Sequence, residues 1–521
     1  MLSPLLLWRW FQVKYLYDPN VIRKADILSI ENLKIPGIVL MENAGLEAAI
    51  SAHRFFPRAK KFLVLAGPGN NGGDGYVIAR HLVRWGFSPT VILTAPPEKI
   101  KGDARTNLDI LAQLNVPMRC SDTMTGEEIT LAISENDVIL DCLLGTGSRG
   151  NPRGEIARII TLLEDKENII AIDIPSGINA ETGEIYSPCV SASLTITMLA
   201  MKTGLGVMPA AAHTGYVDVV SIGVPPSSVL PPKANLSIWE EKDSIDLLPK
   251  RKCTLHKGGR GTLLIVGGSR HYRGAPLLSA VGALKSGCGI VIVASSNEVC
   301  NEGTSFVPEA VFTPLAHENF EELLCWADRG TAAVVGPGLG RDRWSGALIE
   351  YMWNNWPHPL LVDGDGLFWL AELRTSLKKR DDVLLTPHEG EAARLLEISS
   401  KDIASSRLYA ARQLANEWGT VILKGYGTVI CTECQSIVVQ EGGPELSIPG
   451  SGDVLSGIVG TFLAQHFSPL YAASLGAWVH GRAGRNLAQK QGIDGLLSRE
   501  IAMEIPSILH GLRGGHEKTK S

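Results

Sequence analysis

No run of apolar residues reaches the 18 or so that a membrane-spanning helix needs, so a span of that kind is excluded. Cysteine is sparse: nine are scattered over 521 residues without a paired framework, which excludes a disulfide scaffold and suits a reduced compartment. Cys431 and Cys434 form one CxxC pair, but no second pair or suitably spaced histidine completes four zinc ligands. Neither sign of charge dominates, with 49 basic against 54 acidic residues and a net charge of -5. Nucleic acid and anionic membranes are therefore not expected partners. The one basic cluster, Lys378-Lys379-Arg380, reads as a solvated helix end. The opening Leu5-Leu6-Leu7-Trp8 is too short for an export signal and lacks a basic stretch and a cleavage site. It reads as a non-native or frayed start, since Val13-Lys14-Tyr15-Leu16 already resembles the beginning of a domain. A cytoplasmic protein is expected.

Glycine, by contrast, is plentiful, at 55 residues. The length argues for at least two domains. The seam falls at Gly223 to Lys233, where four prolines and two serines in eleven residues can continue neither a helix nor a central strand. On both sides, short β-branched runs alternate with helical patterns, which predicts α/β domains with mainly parallel sheets. Strands are expected at 61–66, 90–94, 138–142, 169–174 and 193–198, then at 262–267, 290–294, 332–335, 360–362, 383–385 and 421–423. Chemistry in such sheets belongs beyond the carboxyl ends of the strands.

In the first half, Gly67-Pro68-Gly69-Asn70-Asn71-Gly72-Gly73-Asp74-Gly75 follows a strand and leads into a helix expected from about Gly75. Its glycines let backbone amides approach a phosphate at the helix N-terminus. It departs from the dinucleotide fingerprint, because Asp74 sits beside the turn and the next strand ends without a ribose-binding carboxylate. Asp141 precedes a second glycine-bearing loop, and Asp173 with Ser176 marks the next strand end. Either aspartate alone could be a helix cap; three oxygen-rich strand ends in one sheet suggest a hard cation site or acid–base chemistry. The motifs MENAG, GPGNNGGDG, LDCLLGTG and DIPSG resemble the YjeF N-terminal family of NAD(P)H-hydrate epimerases, over roughly residues 14–225. The resemblance implies a Rossmann-like three-layer αβα domain in which Asn71, Asp141 and Ser176 hold potassium. It implies that Asn70, Asn71, Gly72, Gly73 and Asp74 contact the hydrated nucleotide, together with Asp173. Gly145, Thr146, Gly147, Ser148, Arg149, Gly150 and Asn151 would form the other substrate loop. Asp173 is the expected acid–base group for inversion at C6 of the hydrated ring.

In the second half, Pro449-Gly450-Ser451-Gly452-Asp453-Val454-Leu455-Ser456-Gly457 leads into an apolar helix. Amides at such a helix start gather phosphate oxygens. An aspartate there is costly unless it has a task such as taking a proton from a substrate hydroxyl. The pattern resembles the GxGD signature of ribokinase-like enzymes. Lys424-Gly425-Tyr426-Gly427-Thr428 is expected on a strand–turn–strand, where Lys424 can neutralise phosphate. His388, in TPHEGE, stands at a strand end as cap or site residue. Asp363 and Asp365 add carboxylates at another, for magnesium or for capping. With HKGGRGTLLIVGGSRHYRGAP and GPGLG these resemble the YjeF C-terminal, carbohydrate-kinase-like family of nucleotide-dependent NAD(P)H-hydrate dehydratases, over roughly residues 245–510. That implies a ribokinase-like α/β domain, with 226–240 as linker and 241–512 as the domain. Ala275, Gly338, His388 and Asp453 would contact the hydrate, Lys424 through Thr428 with Gly452 the nucleotide, and Asp453 would be catalytic. ADP and magnesium are implied alongside NADH and NADPH hydrates, and a homo-oligomer is expected. Two departures stand out: Phe368 replaces a usual Asn, and Pro449 removes an N–H near the anion hole.

Two other readings compete. A thiazole- or pyrimidine-type small-molecule kinase fused to a Rossmann-like module would also use the GSGD loop, but would not carry the NNGGD domain. A first domain that only binds protein or senses nucleotides would not need Asp141, Asp173 and Ser176 together.

Overall fold

A computed structural model describes residues 15–250, 257–315, 320–378 and 380–518. The apolar opening Leu5–Trp8, Val13 and Lys14 of the expected domain start, His256 at the head of the HKGG motif, and Lys379 of the basic cluster lie outside the described residues. The chain divides into two compact units between Ser237 and Ile238.

The first unit is built on seven strands: β1 (Lys61–Ala66), β2 (Ser88–Leu93), β3 (Met118–Cys120), β4 (Val138–Cys142), β5 (Ile169–Ile172), β6 (Leu194–Met198) and β7 (Tyr216–Val220). Their order is β3-β2-β1-β4-β5-β6-β7, and every neighbouring pair is parallel. Along β1 the residues alternate between two cores. Phe62, Val64 and Ala66 face one with helices Gly37–Phe55 and Asn70–Arg84, while Leu63 and Leu65 face the other with Gly126–Ser134 and Gly154–Leu162. A strand buried on both faces must be apolar throughout, which is why these strands read as unbroken runs. The result is a three-layer αβα unit.

The second unit carries β9 (Thr262–Val266), β10 (Ile290–Ser295), β11 (Val311–Pro314), β12 (Ala332–Val335), β13 (Leu360–Val362), β14 (Val383–Leu385), β15 (Thr420–Leu423), β16 (Thr428–Cys431) and β17 (Ser436–Val439). The sheet order is β11-β10-β9-β12-β13-β14-β15-β16-β17, with the boundary strand β8 (Leu236–Ile238) at the far edge. From β11 to β15 the pairs are parallel; β15, β16 and β17 form an antiparallel meander. Helix Ser451–Ala464 runs through the core, and every residue in it is buried except Gly452 and Asp453. It packs closely on helix Gly274–Lys285, since a β-carbon at Gly457 would lie 1.9 Å from the Ser279 carbonyl oxygen.

Several expectations need correcting. The first glycine motif is not a loop ahead of a helix at Gly75: the helix begins at Asn70, with Gly69 as N-cap. Likewise the second helix starts at Ser451, so Asp453 lies in its first turn. The basic cluster is not a helix end. Arg380 is a loop staple, bonded to Asp382 at 2.9 Å and to the carbonyls of Trp353 and His358 at 2.8 Å each. Cys431 is buried in β16 while Cys434 is exposed in the following turn, so the two thiols do not share an environment.

Candidate active sites

In both sheets the strand order reverses once, between β1 and β4 in the first unit and between β9 and β12 in the second. Chains leaving adjacent strands at such a point part to opposite faces and open a crevice. In the first unit the crevice floor is tight: a β-carbon at Gly67 would sit 1.9 Å from the Leu143 carbonyl oxygen. Above it lies a cavity of about 640 Å³ lined by Asn70, Asn71, Asp74, the loop Gly145 to Ser148, and Asp173.

Asn71, Asp141 and Ser176 converge on one loop. The Asn71 side-chain amide donates to the Leu144 carbonyl at 2.9 Å, and the Ser176 hydroxyl accepts from the Leu144 amide at 3.0 Å. Asp141 is fully buried and accepts from the Ser176 hydroxyl (2.7 Å), the Ser176 amide (2.8 Å) and the Leu143 amide (3.2 Å). Burial outweighs these bonds and pushes its carboxyl up to about 6. Asn71 Oδ1 is buried without a hydrogen-bond partner. A buried orphan oxygen beside a desolvated carboxylate is what a hard monovalent cation would relieve, so this donor set fits potassium.

Asp173 follows β5 with a φ of +67°, unusual for a residue with a side chain. Its carboxylate is held on both oxygens: Lys202 Nζ pairs with Oδ1 at 2.7 Å, and the Thr146 amide donates to Oδ2 at 3.2 Å. Burial alone would raise its pKa, but the Lys202 ammonium and the Thr146 bonds hold it below the usual carboxylate value. Asp74 behaves oppositely, raised well above that range by burial and by the nearby charges of Asp173 and Asp26. Gly72 and Gly73 are buried and stand outside the cavity lining. Arg149 pairs with Glu181 at the surface, and Asn151 accepts from the Ser187 amide; with Gly150 they stand outside the lining. Lys202, 1% exposed, was not legible as a site residue: it belongs to no motif, and only its position just beyond the end of β6 hints at a role.

In the second unit, His388, Lys424, Gly425, Tyr426, Thr428, Ser451 and Gly452 line another cavity of about 640 Å³. Gly427 forms the turn with a φ of +65°. Lys424 donates to Asp363 at 3.0 Å and lies 3.9 Å from Glu391. It faces the start of the central helix, since a β-carbon at Gly452 would lie 3.3 Å from Nζ. Asp453, at the third helical position, is pushed up to about 7 by burial, then by Asp363, with Lys424 opposing. His388 caps helix Glu389–Leu396, its Nδ1 accepting from the Gly390 amide at 2.9 Å, and its side chain still reaches the cavity. Ala275 and Gly338 meet beside the sheet's reversal point: a β-carbon at Gly338 would lie 2.9 Å from that of Ala275. Asp365 accepts from the Gly340 amide at 2.9 Å and pairs with Arg341.

The two departures have structural answers. Phe368 lies between the guanidinium groups of Arg341 and Arg394, 4.5 and 4.8 Å from its ring centre, so stacking replaces a polar side chain. Pro449 precedes the N-cap, Gly450, so its missing N–H is not one of the helix's first-turn donors. His480 carried no motif; buried opposite Ser451 at 3.2 Å, it is held down to about 4 by burial and by Lys424.

Residues 263–507 match a family model described as NAD(P)H-hydrate dehydratase, and residues 37–204 match one described as YjeF-related protein N-terminus. Curated relatives match along nearly the whole chain. The bifunctional NAD(P)H-hydrate repair enzyme of Thermanaerovibrio acidaminovorans is 36% identical over 507 residues, covering 95% of this chain and 98% of its own. The one from Moorella thermoacetica is 35% identical, covering 96% and 97%. That of Escherichia coli is 33% identical, covering 94% and 93%. A solved ADP/ATP-dependent NAD(P)H-hydrate dehydratase from Bacillus subtilis, co-crystallised with ATP and magnesium, is 26% identical, covers 53% of this chain and 98% of its own, and has a TM-score of 0.48.

Proposed function

Because the chain belongs to the family of bifunctional NAD(P)H-hydrate repair enzymes, we propose that its first unit epimerises hydrated NADH and NADPH and its second dehydrates the S form at the expense of ADP. The observation that carries this reading is that a carboxylate–lysine set stands beyond the strand ends of each sheet, Lys202 paired with Asp173 at 2.7 Å in one and Lys424 paired with Asp363 at 3.0 Å near Asp453 in the other. We assign residues 14–225 to the epimerase and 241–512 to the dehydratase.

In the epimerase, Asn70 to Asp74 and Gly145 to Asn151 hold the hydrated nucleotide while Asp173 takes the proton from the C6 hydroxyl. Asn71, Asp141 and Ser176 would hold potassium, which would supply positive charge for an anionic substrate. In the dehydratase, Lys424 through Thr428 and Gly452 hold the nucleotide, and Ala275, Gly338 and His388 place the hydrate. Asp363 and Asp365, now paired with Lys424 and Arg341, are the carboxylates that would hold magnesium, which would neutralise phosphate charge. Hydroxide is a poor leaving group and phosphate a good one. Asp453 therefore takes the proton of the C6 hydroxyl, whose oxygen attacks the terminal phosphorus of ADP and releases AMP. Loss of the C6 phosphate and a ring proton restores the dihydronicotinamide. The eight described cysteines are all free, which favours a cytoplasmic location, and we propose that the chain self-associates.

The test is absorbance in the NADH band as the purified chain acts on an epimeric mixture of NADH hydrate with ADP, magnesium and potassium. Complete recovery is expected. Recovery stopping near half would remove the epimerase, and a stable phosphorylated product without NADH would replace the dehydratase by a kinase.

A further inference from the structure

The epimerase cavity contains two aspartates whose surroundings differ in kind. Asp173 has every available oxygen engaged by donors, with Lys202 Nζ on one and the Thr146 amide on the other. Lys202 is itself immobilised, donating to the Thr197 hydroxyl at 2.8 Å and to the Met198 carbonyl at 2.9 Å besides Asp173. Asp74 lines the same cavity, one turn into helix Asn70–Arg84, and its carboxyl receives no hydrogen bond and no ion pair among the described residues. A carboxyl group buried from water with no donors around it keeps its proton, and one saturated with donors loses it. A cavity that separates two like groups in this way has divided the roles of acid and base.

We infer that Asp74 is a second catalytic residue of the epimerase, the proton donor to the ring nitrogen of the hydrated nicotinamide while Asp173 withdraws the proton from the C6 hydroxyl. This inference rests on the epimerase reading above. The substrate carries its hydroxyl on the carbon bonded to the ring nitrogen, so it is a cyclic hemiaminal. When the Asp173 carboxylate takes the hydroxyl proton, the oxygen's electron pair forms the C=O bond and the C6–N1 bond breaks. The released pair goes to N1, which receives the Asp74 proton, giving an open-chain aldehyde and a neutral enamine N–H. Rotation about C5–C6 presents the other face of the aldehyde. N1 then attacks, Asp74 recovers its proton, and the oxygen recovers its own from Asp173. Both residues end as they began, and no oxidant or further reactant is needed.

The groups facing Asp74 determine how this step depends on pH. They are Asp173 and Lys202 from the strand ends, Asp26 and Arg23 from helix Pro19–Glu31, and Asp103 from helix Gly102–Gln113. Three of these five are acidic, so Asp74 stays protonated to higher pH than an ordinary carboxyl, and Asp173 stays ionised to lower pH. The epimerisation rate should hold a plateau between those limits and fall on the alkaline side as Asp74 loses its proton.

The experiment is the pH–rate profile of epimerisation for the full chain and for Asp74→Asn and Asp74→Glu, with ADP-dependent dehydration of the S epimer followed in parallel. Asp74→Asn should lower kcat by about 100-fold or more with little change in KM, and its residual rate should lack the alkaline limb. Asp74→Glu should recover part of kcat and keep that limb. Dehydration reports on the other unit alone, so the thermal transition of the first unit, unchanged from that of the unmodified chain, is the check that each variant is folded. Asp74→Asn with normal kcat and raised KM, or with the alkaline limb intact, would overturn the inference and leave the epimerase reading standing. If the unmodified chain dehydrates but does not epimerise, the reading of the first unit fails and the inference fails with it.

Discussion

Asp453 stands where a helix start would welcome its negative charge, yet the protein raises its carboxyl to about 7, because burial and the carboxylates of Asp363, Asp365 and Glu391 outweigh Lys424. The same shift suits the proton transfer proposed for Asp453 and costs stability. In the unfolded chain an aspartate titrates near 4. Between that value and about 7 the folded state binds the proton more tightly, so the group's stabilising contribution is present at low pH and is lost as pH rises through about 7. Asp453→Asn should abolish dehydration, and without nucleotide it should melt at least about 2 °C above the unmodified chain at pH 8. That difference should close toward pH 4; a gap independent of pH in thermal melts would contradict the assignment. The dehydration rate itself should rise as pH passes about 7, when Asp453 becomes able to accept a proton.

At the scale of elements, the position of Asp453 depends on how two helices touch. Gly282 and Gly457 let Gly274–Lys285 and Ser451–Ala464 approach to backbone contact, and Ser279 meets Ser456 at 3.1 Å in the seam. Gly457→Ala should cost about 1–3 kcal/mol in urea unfolding through overpacking. It should also lower dehydration more than nucleotide binding, because the helix start moves with the seam. An unchanged unfolding midpoint would show that the seam gives way easily. These contacts also show what could be read from residues alone. Runs such as Phe62 to Ala66 and Leu263 to Val266 were legible as strands because a doubly covered parallel strand has no polar side to confuse the pattern. Helix starts at Asn70 and Ser451 were less so, because glycine lowers helix propensity where the site needs backbone access. Motif residues such as Asp141 and Lys424 were legible in the sequence. Lys202 and His480 were not, since each acts through partners far away in the chain, Asp173 and Ser451.

At the scale of the whole molecule, the two units have separate hydrophobic cores, and each core's residues come from one side of the division between Ser237 and Ile238. Separate cores predict separate unfolding. ADP with magnesium should shift the denaturant transition followed by loss of dehydration, and potassium the one followed by loss of epimerisation, because a ligand stabilises only the native state that binds it. A single transition shifted equally by both ligands would show that the units unfold as one. The fusion also keeps the two activities at equal amounts, which suits a dehydratase that takes only one of two epimers.

The immobilised Lys202 has one more consequence. An open-chain aldehyde beside an amine would ordinarily condense to an imine, and a repair enzyme that did so would consume itself. A nitrogen whose three protons are all given to fixed acceptors has no lone pair to offer a carbonyl. The arrangement that keeps Asp173 ionised would therefore also keep the Lys202 amine inert toward the open-chain aldehyde of the step proposed above.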